Sequence, residues 1–308
     1  MNPLVKLTSI FVLMIIVLGV SQSVYLTILS ISTVWCHWLI ISISLRDPSL
    51  YRSRNILMFY SLLLCVISII SYKQSVIIGG ELTPYLGGSD GEGYFKTALD
   101  LAGGGKLDRL GLLGGAYFGY QLILSVAFDI FGENLFVGLL VNNTVVLLTV
   151  LLVVRVTWIL TENNDSSFYS AVAFILTTKF IFYSNTLLKD PSLTFGVALV
   201  TYMIAMIHTR KAMMPSSYLA LIFAALIFGM MRQPMLILIP ISFIVLGRTS
   251  LKTIWLPGIL LFITGTSFLA FLGSFTSHIF SVEEITRIVV ENQLLSNAGD
   301  DGVNIDGI

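Results

Sequence analysis

Long apolar runs separated by short polar breaks set the pattern of this chain. Residues 7–23, 26–45, 56–72, 135–160, 168–184, 192–208 and 254–272 are apolar almost throughout. A helix needs roughly 20 apolar residues to cross a bilayer, and these runs are close to that length. Membrane strands would instead show short alternating segments, so the pattern predicts helices. Two runs, 218–231 and 235–246, are short for a crossing and are joined by Met231-Arg232-Gln233-Pro234. Another, 116–131, is interrupted by Gly119, Gln121 and Asp129 and carries Tyr117 and Tyr120. Tyrosine suits the membrane–water interface, so this run reads as a helix lying at the surface or dipping into it. The expected fold is an all-α polytopic membrane protein with about seven to nine transmembrane helices and one extracytoplasmic juxtamembrane helix.

Composition strengthens that reading. Of 308 residues, 56% are hydrophobic and only 11% charged, with a mean hydropathy of +0.91. Soluble domains carry about 25% charge. The formal net charge is zero, and with no basic stripe there is no expectation of nucleic-acid binding. Cys36 and Cys65 lie inside apolar runs and read as small buried side chains.

Charge in the short breaks gives the expected orientation. Arg46/Arg52/Arg54, Arg155, Arg210/Lys211 and Arg248/Lys252 fall on one side if 116–131 does not cross. That side is then the cytoplasm, and the N-terminus is cytoplasmic too. The opposite face gathers residues 73–115, 185–191, Arg232-Gln233 and the tail. Three regions follow: a transmembrane hairpin and basic loop at 1–55, a membrane core at 56–273 with its outer loop at 73–115, and a polar tail at 274–308. The chain reads as cut short in that tail.

Four places offer chemistry. In Gly87-Gly88-Ser89-Asp90-Gly91-Glu92-Gly93-Tyr94, two carboxylates on a glycine-rich turn can share a divalent cation, or one can serve as a general base; an ordinary solvated turn has the same composition. A run with helical character, 94–101, follows directly. In the break at 183–191, Lys189 and Asp190 sit before Pro191, where a substrate-facing pair and a plain helix start look alike. Arg232 can meet a phosphate bidentately or snorkel to headgroups, with Gln233 beside it. Lys179 lies inside an apolar run, where an ionisable side chain is costly and points to function. Asp129 reads as interfacial, His208 as part of a cytoplasmic loop, and His278 has no ligand partners for zinc.

These elements, in this order, resemble the polyprenyl-phosphate-sugar-dependent membrane glycosyltransferases of the GT-C fold. Residues 56–72 match the span that leads into the family's first outer loop, and Asp90-Gly91-Glu92 matches its acidic motif. Residues 116–134 match a juxtamembrane helix, 183–191 the second outer loop, and Met231-Arg232-Gln233-Pro234 the basic break after it. The resemblance covers residues 56–246, and the N-terminal hairpin departs from it. It implies transfer from a polyprenyl-phosphate-linked sugar to a glycan acceptor at a bacterial plasma membrane, alongside polysaccharide-assembly proteins. Asp90 and Glu92 would be catalytic and would hold any divalent cation, Mg or Mn. Tyr94, Lys179, Lys189, Asp190, Arg232 and Gln233 would bind substrate. Polysaccharide polymerases and ligases share this layout. A transporter or flippase of lipid-linked glycans, or a non-catalytic assembly subunit, are the other classes that fit.

Overall fold

The computed structural model describes residues 12–17, 23–79, 89–103, 119–177, 181–182, 184–209 and 215–231. The described residues are helical with no strand, and three helices are long and apolar enough to cross a membrane. The first is α1, Val24–Ser44. Its Ser23 cap accepts a hydrogen bond from the Leu26 amide at 3.0 Å, satisfying one of the orphan donors of the first turn. Asp47 and Pro48 then turn the chain through a single 3-10 turn, Pro48–Leu50. The Ser49 hydroxyl and amide both donate to Asp47 at 2.7 and 2.9 Å. Those bonds, with Arg155 nearby, hold the Asp47 carboxyl below its usual range.

The second crossing helix is α2, Tyr51–Gly79. It runs antiparallel to α1: Trp38 Nε1 donates to the Met58 carbonyl at 3.2 Å near one end, and Cys65 faces the Ser30 carbonyl further along. Helix α2 continues seven residues past Tyr72, where the hydropathy pattern had placed the start of a loop. Lys73 and Gln74 are good helix formers, and the first glycine is Gly79. The rest of the expected outer loop is not all loop either, because α3 occupies Ser89–Ala102.

Helix α4, Gly119–Phe131, has 13 residues. At 1.5 Å per residue that is about 20 Å, short of a roughly 30 Å hydrocarbon layer, in keeping with a helix that does not cross. Gly132 reverses the chain at φ +87, a left-handed conformation that glycine adopts without strain. Asn134 then caps α5, Leu135–Thr161, by accepting from the Phe136 amide at 2.8 Å.

Helix α5 is the axis of the molecule. It packs against α1, α2, α4, α6 and α7, and Val146, Leu147, Val150 and Val154 are buried along it. Helix α6, Asn164–Ile175, has only 12 residues, about 18 Å. The sequence predicted a full span over 168–184, so this is a departure: the helix stops where the Leu176 amide turns back onto Phe174 and Val172. A turn over 185–188 leads into α7, Asp190–His208, and α8 is Pro215–Met231.

One end of the bundle is arginine-rich. There Arg52 pairs with Asp165 and lies 4.5 Å over the Phe168 ring. Helices α3 and α4 cover the opposite end. The expected spans at 235–246 and 254–272, most of 7–23 and the polar tail lie outside the described residues.

Candidate functional site

Two asparagines in the middle of an apolar helix build the site. Asn142 and Asn143 of α5 are buried, and a buried amide without partners is costly. Asn142 Nδ2 donates to the Thr186 carbonyl at 2.6 Å and the Leu188 carbonyl at 3.3 Å. Its Oδ1 accepts from the Tyr120 hydroxyl at 3.1 Å. Asn143 Nδ2 donates to the Leu64 carbonyl at 3.3 Å and to Ser68 Oγ at 2.7 Å. Ser68 in turn donates to Asn185 Oδ1 at 2.7 Å. The turn at 185–188 is therefore tied directly to α2 and α5, and to α4 through Asn142.

Depth is the consequence. Asn142 lies seven residues inside α5 from Leu135, so the turn sits about 10 Å below that helix end. The sequence placed residues 185–191 on the outer face. The structure draws the Thr186 and Leu188 carbonyls down into the bundle, where Asn142 takes over the role of water. Irregular backbone at such depth is tolerated only when protein satisfies it. Leu187 anchors the turn from the other side. It is fully buried against Gly138, where a Cβ would come within 2.5 Å of its Cδ2.

Lys189 and Asp190 follow the turn, half-buried, with Asp190 opening α7. Lys189 Nζ lies 5.9 Å from the Tyr94 ring centroid, within cation–π range. Tyr94 meets Tyr120 edge-on at 5.3 Å, and Phe95 of α3 meets Phe128 of α4 at 5.6 Å. Burial above all pushes the Tyr120 phenol up in pKa, and the charge of nearby Asp190 acts in the same direction. Among the candidate residues, the structure thus brings together Tyr94, Lys189 and Asp190, from segments about 95 positions apart in sequence.

The acidic pair behaves differently from a flexible turn. Asp90 and Glu92 stand in the first turn of α3, both exposed, where negative charge suits the helix dipole. Residues two apart on a helix do not face each other. Asp90 shares the flank of Tyr94, one turn on, whereas Glu92 points to the other flank and pairs with Lys96 at 2.6 Å. A cation held by Asp90 would need a further ligand from another element. Among the described residues, no three His, Cys, Asp or Glu side chains cluster to hold a metal ion.

Lys179, Arg232 and Gln233 lie outside the described residues. Helix α8 ends at Met231, with Met230 packed so closely on Gly119 that a Cβ there would come within 2.4 Å. Chemically, the site offers a half-buried amine and carboxylate walled by two tyrosine rings. Such a set can hold an anionic group, pack the face of a sugar, and exchange a proton. Sequence reasoning passed over Asn142, Asn143, Ser68 and the bonding role of Tyr120. The signal for the first two was present: adjacent amides inside a 27-residue apolar helix are expensive unless they have a task. Comparison with family models, curated proteins and solved structures gives no match.

Proposed function

We propose that this chain is a membrane glycosyltransferase that uses a lipid-phosphate-linked sugar on the extracytoplasmic face, in the synthesis of a cell-surface glycan. The observation that carries the reading is the buried turn at 185–188, which sets Lys189 and Asp190 under Tyr94 of the acidic helix α3, inside the end of the bundle that α3 and α4 cover. A lipid phosphate needs a cation in a low-dielectric setting, where electrostatic stabilisation of a leaving group is strongest. Lys189 supplies it at a depth that the headgroup of an outer-leaflet lipid reaches. Asp90, on the Tyr94 flank, is the base toward an acceptor hydroxyl, or it holds a Mg or Mn ion together with a group outside α3. Glu92, tied to Lys96, has a supporting part. Arg232 and Gln233 follow directly on the helix that ends beside Gly119, and with Lys179 they complete the phosphate-binding set.

The GT-C resemblance, the count of about seven to nine spans and the cytoplasmic N-terminus belong to this same proposal. A transporter or flippase of lipid-linked glycans is the second reading. The observation favouring it is the interrupted path from α6 to α7 at depth, since broken helices form transport sites as well.

The experiment is glycan synthesis in native membranes by Asp90→Asn and Glu92→Gln. Asp90→Asn is expected to lower transfer at least tenfold, equivalent to about 1.4 kcal/mol of barrier, and Glu92→Gln to lower it less. Wild-type synthesis by both variants would end the transferase reading. Vesicles that move a lipid-linked glycan with no acceptor present would favour the second.

A further inference from the structure

Next to that site, and sharing Asn143 with it, the interior between α1, α2 and α5 carries polar atoms whose hydrogen-bond needs point to a ligand. His37 of α1 is 3% exposed, and its Nε2 lies 2.9 Å from Thr144 Oγ1. The geometry fixes the tautomer. Thr144 has one hydroxyl proton and gives it to the Leu140 carbonyl at 2.8 Å. Its oxygen must therefore accept from His37, so Nε2 carries the ring proton and Nδ1 is a bare lone pair. Among the described residues, Nδ1 has no hydrogen-bond partner.

Of the five further buried atoms in this condition among the described residues (on Ser53, Tyr60, Ser61, Asn143 and Asn164), two lie on the helices that face His37 and near its level. Asn143 spends both amide protons on Leu64 and Ser68, and its Oδ1 is unpartnered among the described residues. Ser61 Oγ of α2, fully buried, is unpartnered in the same sense. Register puts these groups on neighbouring turns of the three helices. Ser61 lies between Met58, which faces Trp38, and Cys65, which faces Ser30. Asn143 reaches Leu64, one turn from Ser61, and Thr144 is its chain neighbour.

We propose that this interior is a water-binding site centred on His37 Nδ1. A water has two protons to give and accepts from hydroxyls, and buried waters typically make about three hydrogen bonds to otherwise unsatisfied groups. Here the needs are two acceptors, His37 Nδ1 and Asn143 Oδ1, and one hydroxyl donor, Ser61. One water, or a file of two, closes all three. The occupied site joins His37 through Asn143, Ser68 and Asn185 to the turn before Lys189. A polar track then runs from α1 to the candidate site, and it stands whatever reaction that site performs.

The test is nitrogen-15 solid-state NMR of the full chain, labelled at histidine, in lipid bilayers. There are 3 histidines, and His37→Gln assigns the signal. The expected spectrum shows the Nε2–H tautomer, an Nδ1 shift typical of a hydrogen-bond acceptor, and a correlation from Nδ1 to water protons. An Nδ1–H tautomer, or an Nδ1 with no water correlation, would overturn the proposal. Thr144→Val removes the acceptor of Nε2–H and is expected to convert one tautomer into a mixture; an unchanged single tautomer contradicts the assignment. Asn143→Leu is expected to weaken the water correlation, and an unchanged correlation contradicts the shared site.

Discussion

Asn142 shows what one side chain can be asked to do in an apolar bundle. It serves two carbonyls of the 185–188 turn and one tyrosine hydroxyl. Its replacement by leucine would take away the bond of the Tyr120 hydroxyl and that of the Leu188 carbonyl, and leave the Thr186 carbonyl with the Leu188 amide at 3.0 Å. Each unsatisfied buried group costs about 1–3 kcal/mol, and partial relaxation makes the sum on the order of 3 kcal/mol. Asn142→Leu is therefore expected to lower unfolding stability in detergent by that amount. Asn142→Asp, which keeps the acceptor for Tyr120, should cost no less, because a carboxylate presents another acceptor to two carbonyls. Denaturant titration checks both, and a change within experimental error for Asn142→Leu would remove the amide from its place in the account. This residue also marks where sequence reading stopped. Lys189 and Asp190 stood out because charge is scarce in the chain, whereas amides and hydroxyls such as Asn142, Ser68 and Tyr120 did not. Hydropathy averages hide a polar atom whose partner is 22 to 117 positions away.

At the scale of elements, helix length and helix breaks were legible to different degrees. The runs 26–45 and 135–160 match α1 and α5 to within a few residues, because capping groups at Ser23 and Asn134 coincide with the polarity change. Residues 168–184 read as one span, but α6 ends at Ile175, and the turn at 185–188 that follows the run is held at depth by Asn142 of a different helix. No local pattern carries that information. The acidic segment was read as a turn because of its glycines, yet Asp90 and Glu92 lie in the first turn of α3, where carboxylates are favoured. The seating of the 185–188 turn depends on Gly138 as well. Gly138→Ala would drive a methyl into Leu187, and overpacking costs about 1–3 kcal/mol. Adding Leu187→Ala should recover part of that loss, so the two changes couple by about 0.5–3 kcal/mol. A double-mutant cycle in unfolding stability measures this coupling. Strict additivity would mean that Leu187 does not fill the Gly138 notch.

For the whole molecule, the arrangement separates two ends. Arg52, Asp165, Asp47 and Arg155 occupy one of them, in small local pairs. At the other, α3 and α4 roof a turn that carries an amine and a carboxylate. Apolar residues on the outer faces of α1 and α2, such as Ile28, Trp35, Leu39, Ile77 and Ile78, suit contact with lipid. The membrane character and the helical class could be read directly from the hydropathy pattern and the charge content. The meeting of Tyr94 with Lys189 and Asp190 could only be expected in outline, from the placement of two polar breaks on one face. Its depth and its ties to α5 came from tertiary contacts. The central claim is that this deep turn is where a lipid-linked substrate is handled. The most direct measurement is transfer from a polyprenyl-phosphate-linked sugar in native membranes by Lys189→Met and Asp190→Asn, with insertion and unfolding stability measured alongside. The account predicts stably inserted proteins with transfer reduced at least tenfold, about 1.4 kcal/mol or more; wild-type transfer by both would contradict it.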